Sequence, residues 1–213
     1  MPSTVNYTHI IFDLDGTLVD SREHILRYNR DLFNFFKRPF PEDEEELFYT
    51  LDKDALERRF FKPEDANQLA TFRKQNPYIN RLNEITPLQG ATHLLTKLHH
   101  LEVHLAIVTN RGTSTKRLLT QLGWLHFFDF IVSADMLSNP KPHPQGLIQC
   151  LSGWQQHPKD TLFIGDSAID AEAADLAGCP FVQVTAVSPP LPQKRHFSQL
   201  EQLLVWLLQS KTT

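Results

Sequence analysis

Asp13 and Asp15, within FDLDGTLVD (12–20), stand two residues apart at the end of an apolar run, and Gly16 and Thr17 follow at once. Carboxylates so placed either open a turn, where Asp and Gly are favoured, or face a cation or a phosphate. Along an extended chain, residues two apart share a face, so both can address one site. Three later stretches carry complementary groups: Thr109 and Asn110 in IVTN (107–110), Lys141 in KPHP (141–144), and Asp166 with Asp170 in FIGDSAID (163–170). Asp13, Asp15 and Asp166 would make an oxygen-rich site that suits Mg²⁺. Clustered carboxylates repel one another unless a cation joins them, and such a cation also neutralises and orients a phosphate. Lys141 supplies a point positive charge, and Thr109 a hydroxyl beside backbone donors. Phosphoryl transfer needs this kind of positioning and charge stabilisation.

Each stretch alone has a plainer reading. DLDG is a turn, KPHP a loop, and GDSAID a helix start capped by Asp166 or Ser167. An EF-hand loop is excluded, because His24 stands where the bidentate Glu should be. A lone Asp-x-Asp would also serve a glycosyl transferase holding a metal and a nucleotide-sugar. The order of the four stretches, and their common placement at strand ends, favours the phosphoryl site.

The elements that must position these residues are legible as apolar runs at 9–13, 103–109, 128–133, 161–166 and 181–185. Most are continuous rather than alternating, as in strands covered on both faces. Between them lie stretches of helical spacing, at 91–101, 113–123, 143–154 and 167–178. A last helix over 197–208 opens on Ser198 and Glu201, the spacing of a capping box. Strands alternating with helices predict an α/β fold, a Rossmann-like three-layer core with a five-stranded parallel sheet, the first strand central. In open sheets of this class, ligands collect outside the carboxyl ends of the strands, where all four polar stretches fall. The Pro-rich segment 188–193 is expected to be a surface loop.

Residues 18–84 break the alternation, with no convincing strand and no glycine. Helices are expected at 21–37, 42–50, 52–60 and 63–76, with Pro63 in the first turn of the fourth. We read a catalytic core formed by 1–17 and 85–213, with a helical cap, 18–84, inserted after the first strand; helices packed directly on the sheet are the alternative. Phe33, Phe35, Phe36, Phe60 and Phe61 are expected in the core of that cap. Tyr49, Thr50 and Lys53 are its candidate substrate contacts, against their reading as ordinary helix residues.

Composition narrows the class. The chain has 213 residues, 41% hydrophobic and 22% charged, with a net charge of -4. That balance gives no reason to expect nucleic acid or an anionic membrane as partner. No apolar run reaches the ~18 residues of a membrane span, and the N-terminus lacks the pattern of a signal peptide. Cys150 and Cys179 are read as small core residues, which fits a reducing cytoplasm. The histidines are scattered without metal-ligand spacing.

FDLDGTLVD, IVTN, KPHP and FIGDSAID, in that order, resemble the motifs of the haloacid dehalogenase superfamily of phosphohydrolases. The insertion resembles the helical cap of phosphoglycolate phosphatases and β-phosphoglucomutases, and TPLQGATHLLTKL (86–98) the segment that returns from it. The resemblance implies Asp13 as nucleophile, forming an aspartyl-phosphate, and Asp15 as general acid and then base. A dehalogenase of the superfamily lacks that second aspartate. It implies Mg²⁺ held by Asp13, the backbone carbonyl of Asp15, and Asp166. Thr109 and the backbone at Asn110 would bind the phosphoryl oxygens, Lys141 would balance charge, Asp170 would act behind them, and Thr17 would hold the loop. Relatives often carry a glycine in the substrate-selecting loop of the cap, whereas this insertion has none. The expected activity is Mg²⁺-dependent hydrolysis of a small phosphorylated metabolite, of phosphoglycolate, sugar phosphate or nucleotide type, in the cytoplasm, by a monomer or homodimer. A phosphomutase and a non-catalytic phosphate-binding regulatory domain remain as alternatives.

Overall fold

The structure, a computed structural model, describes residues 7–186 and 188–209. In chain order its elements are β1 (His9–Phe12), β2 (Val19–Asp20), α1 (Arg22–Phe35), α2 (Glu45–Thr50), α3 (Lys53–Phe60), α4 (Ala66–Gln75) and β3 (Thr86–Pro87). There follow α5 (Ala91–His100), β4 (His104–Thr109), α6 (Thr115–Gln121), β5 (Phe130–Ser133), α7 (Gln145–Trp154), β6 (Thr161–Gly165), α8 (Ala168–Ala177), β7 (Phe181–Val184), β8 (Arg195–Phe197) and α9 (Leu200–Leu208).

All four residues of β1 are buried because parallel neighbours flank it on both edges and helices cover it on both faces. The sheet runs β5-β4-β1-β6-β7-β8, with every pairing parallel. Alternation along the strands sorts side chains into two layers. Ile10, Phe12, Leu105, Ile107, Leu162 and Ile164 pack with leucines of α5, α6 and α9. Ile11, Ala106, Val108 and Phe163 face α7 and α8, where Cys150 and Cys179 lie buried as free thiols.

The sheet has six strands, not five. β8 lies just beyond the expected Pro-rich loop and pairs with β7 over three residues, Arg195, His196 and Phe197. It is an edge strand whose first two residues are exposed, so it shows no apolar run. The last helix also departs from expectation. It starts at Leu200 with Gln199 as a cap that makes no side-chain bond, while the Ser198 hydroxyl turns to Gln202 Oε1 at 3.3 Å. The expected capping box is not formed.

Between β2 and β3 the chain is helical. α1, α2 and α4 gather Leu26, Leu32, Phe33, Phe48, Leu69 and Phe72, with Phe61 beyond α3, into a third apolar cluster. Phe36 and Phe60 pack at its margin, but Phe35 is 38% exposed and is not part of the interior. The helical stripe has room for only part of each turn, and Phe35 falls on its edge, touching Phe36 and Phe72. β2 and β3, two residues each, pair antiparallel where the chain leaves and returns. Strands so short show no alternation in sequence. Asp52 caps α3, its carboxylate accepting the backbone N–H groups of Asp54 and Ala55.

Candidate active site

β1, β4 and β6 run in register, with Phe12 opposite Ile107 and Ile164, so their carboxyl ends open on one place. Asp13 follows Phe12 directly, and its N–H donates to the Ile164 carbonyl at 2.8 Å. Gly16 then turns the chain at φ +79, a conformation that favours glycine. Thr109 ends β4, Asp166 follows β6, and Asp170 lies in the first turn of α8. Asp13, Asp15, Thr109, Asn110, Lys141, Asp166 and Asp170 all line one cavity of about 720 Å³ between the strand ends and the helical insert. Thr17 sits just behind it, fully buried, its hydroxyl 3.5 Å from Asp166 Oδ1.

Lys141 is the hub. Its ammonium donates to Asp13 Oδ1 at 2.5 Å and to Asp170 Oδ1 at 2.6 Å, with all three side chains buried. Burial alone would lower its pKa, but Asp13 and then Asp170 outweigh that and hold it above the usual lysine value. Asp170 is saturated by donors: its other oxygen accepts the backbone N–H of Asp166 and of Ser167 and the Ser167 hydroxyl. Ser167, not Asp166, is the N-cap of α8, in a reciprocal capping box with Asp170. A Cβ at Gly165 would stand 2.6 Å from Asp170 Cβ, so only glycine lets β6 and α8 approach this closely.

Asn110 does something other than face a ligand with its side chain. Its amide nitrogen donates to the Lys141 carbonyl at 2.9 Å and to the Thr50 carbonyl at 3.0 Å, and its oxygen accepts the Lys141 N–H at 3.0 Å. It ties the lysine loop to β4 and to the helical insert. The Thr109 hydroxyl accepts the Arg111 N–H at 3.1 Å.

Arg111, Ser21, Ser188 and Gln183 escaped the sequence reading. Arg111, buried, grips Asp15 with two bonds, Nε to Oδ2 at 2.9 Å and Nη2 to Oδ1 at 2.5 Å. The Ser21 hydroxyl adds a third donor to Oδ1 at 2.5 Å. Burial would raise the Asp15 carboxyl, but Arg111 and Ser21 overcome it and hold it below the usual range. An arginine directly after a Thr-Asn pair has no spacing of its own to announce it; adjacency to the motif was the available signal. Ser188, in the Pro-rich loop, donates to Asp166 Oδ2 at 2.7 Å. Gln183 anchors that loop through the Pro189 carbonyl and the Leu191 N–H, so the segment is not merely a surface connection.

Asp13 contrasts with Asp15. Burial, opposed by Lys141 and reinforced by Asp170 and Asp15, pushes its carboxyl up to about 7. Asp166 is likewise raised well above its ordinary value, by burial first and then by Asp170 and Asp13. With all four carboxylates ionised, four negative charges would face two positive ones, Lys141 and Arg111. Ligand oxygens of Asp13, Asp166 and Asp170 lie within 4.8 Å of one another. A hard divalent cation fits this donor set in charge and chemistry. Because Asp170 is taken up by Lys141 and the helix start, Asp13 and Asp166 are the side chains best placed to hold one.

The family profile described as haloacid dehalogenase-like hydrolase matches residues 10–184. A phosphoglycolate phosphatase of Yersinia pseudotuberculosis is 30% identical over 213 aligned positions, covering 90% of each chain. The pyrophosphatase PpaX of Halalkalibacterium halodurans is 29% identical over 79% of each. A crystal structure described as a predicted phosphoglycolate phosphatase from Haemophilus somnus superposes with a TM-score of 0.81 at 25% identity, covering 95% of this chain and 99% of that one. A family match that spans most of the chain settles the membership: the chain belongs to the haloacid dehalogenase-like hydrolase family.

Proposed function

We propose that the chain is a Mg²⁺-dependent phosphatase that hydrolyses a small phosphomonoester through an aspartyl-phosphate on Asp13. The observation that carries this reading is the Asp13 carboxylate itself: one oxygen is fixed by Lys141 at 2.5 Å, and the residue lines the cavity. Asp13 Oδ2 attacks phosphorus as the bond to the leaving oxygen breaks, and Asp15 hands that oxygen a proton. Water then attacks the aspartyl-phosphate, Asp15 takes its proton, the bond between phosphorus and the Asp13 oxygen breaks, and inorganic phosphate leaves. In the conformation described, Arg111 and Ser21 occupy both Asp15 oxygens. Proton transfer by Asp15 therefore requires Arg111 to release one of them.

Asp13, Asp166 and the Asp15 backbone carbonyl would hold the metal; when bound it neutralises charge on the phosphoryl oxygens. Thr109 and the backbone at Asn110 bind the other face of the phosphoryl group, and Lys141 keeps Asp13 oriented. Asp170 positions Lys141, and Thr17 steadies the turn. Residues 18–84 form the cap, and the bond from Asn110 to the Thr50 carbonyl supports its role as a lid. The cavity of about 720 Å³ falls within the ~300–1,000 Å³ usual for small-molecule sites. Two named relatives act on phosphoglycolate and pyrophosphate, which makes these the first compounds to test.

The deciding experiment is a screen of phosphoglycolate, sugar phosphates, nucleoside monophosphates and pyrophosphate for released phosphate, with and without Mg²⁺. Release that needs Mg²⁺ supports the reading. No release from any compound, or release indifferent to chelator, ends it.

A further inference from the structure

Tyr49, near the end of α2, carries a buried hydroxyl with no hydrogen-bond partner among the described residues. Its position is not accidental. Tyr49 lines the catalytic cavity, and its ring lies under the Arg22 guanidinium at 5.2 Å. Arg22 is held in turn by Glu45 and Glu46 of the same helix. The next residue, Thr50, is the one whose carbonyl accepts from Asn110. The hydroxyl reaches the turn that carries the two aspartates: a Cβ built at Gly16 would stand 1.9 Å from the Tyr49 oxygen and 2.5 Å from Asp166 Oδ2. Gly16 lacks a side chain, and the Tyr49 hydroxyl fills the space one would take.

A buried hydroxyl left unmatched is costly, and the cost is compensated when something else occupies the site. The character of the missing partner follows from the surroundings. A tyrosine hydroxyl keeps its proton near neutral pH and can donate it, and Asp13, Asp15 and Asp166 line the same cavity. It is a donor among acceptors, none of which it reaches. The missing group is an oxygen acceptor that enters between the aspartates and the insert.

We propose that Tyr49 is a catalytic residue supplied by the helical insert, its hydroxyl donating a hydrogen bond to a non-bridging oxygen of the transferring phosphoryl group. This rests on the phosphatase reading above and extends it, because it makes the insert contribute to the chemistry and not only to enclosure. The bond is strongest when negative charge gathers on the equatorial oxygens, so it acts on turnover more than on substrate binding.

Tyr49→Phe removes the donor and leaves the ring and its stack. Three measurements read the result: kcat and KM on the best substrate from the screen, inhibition by orthovanadate in the presence of Mg²⁺, and the melting temperature of the metal-free protein. The expected result is a fall in kcat of ten- to a hundredfold, a loss of vanadate affinity of at least tenfold, KM within about threefold, and an unchanged or higher melting temperature. Retention of either kcat or vanadate affinity within threefold overturns the proposal. So does a clear drop in melting temperature, which would mean that the hydroxyl has a partner in the fold. A wild-type chain that neither releases phosphate nor binds vanadate fails the phosphatase reading, and this proposal with it. A wild type that does both, with the variant indistinguishable from it, overturns the role of Tyr49 alone.

Discussion

The strand ends and the helical insert use charge in opposite ways. At the strand ends charges are buried and unbalanced: Asp13 and Asp170 share Lys141, Asp15 has Arg111, and Asp166 has no ion-pair partner among the described residues. In the insert they are half-buried or exposed, and matched. Arg30 meets Glu42 and Glu45, Arg38 meets Asp65, Arg59 meets Glu44, and Arg73 meets Glu57. Exposed pairs contribute little each, so the insert is held by its rings, Phe33 against Phe40, Phe48, Phe60 and Phe61. A buried surplus of one sign is costly for a fold to keep. It is the mark of a place completed by something from outside.

The largest effect belongs to Asp13→Asn. Turnover should fall by about 10⁴-fold or more in the phosphate-release assay, with the circular dichroism spectrum unchanged. Near-normal turnover would remove Asp13 as nucleophile and, with it, the functional meaning of the contrast. Next comes Lys141→Ala, which strands two buried carboxylates and should lower stability by about 3–5 kcal/mol in denaturant titration of the metal-free protein near neutral pH. Phe33→Ala should cost about 3 kcal/mol. The Lys141 deficit should shrink as acid protonates Asp13, while the Phe33 deficit should not; equal pH dependence would show that the two regions are not built differently.

A subtler effect follows from the raised carboxyl of Asp13. Its unfolded value is near 3.8 and its folded value about 7. Between these, the folded state holds a proton the unfolded chain has lost, so stability present below the lower value drains away as pH rises through the upper one. The metal-free protein should therefore melt lower near pH 8 than near pH 5, and Mg²⁺ should raise the melting temperature more at the higher pH. Thermal scans with Mg²⁺ or chelator test this, and a larger Mg²⁺ gain at low pH would contradict it. Smallest is Arg59→Ala, which breaks an exposed pair with Glu44. It should cost less than about 1 kcal/mol, a difference that 1 M salt erases.

The motif residues were legible because a strand buried on both faces reads as an unbroken apolar run, and chemistry-bearing residues stand at its end. β1, HIIF before Asp13, and β6, TLFIG before Asp166, are of that kind. β8 was not, because an edge strand with Arg195 and His196 in solvent owes its conformation to pairing with β7. Ser198 and Glu201 had the spacing of a capping box, yet the helix begins at Leu200, where the leucines that pack on the sheet begin. Arg111 and Ser188 act across long sequence separations, 96 residues to Asp15 and 22 to Asp166. Such pairings depend on where the strands bring the chain, which no local pattern records.

Asn110 has one more consequence. Of its three side-chain bonds, two run to the backbone of Lys141 and one to Thr50. Raising the insert would break the single strap and leave the double one fastened. Were the insert to swing away as the proposed lid, the hinge post on which the ammonium hangs would stay in place.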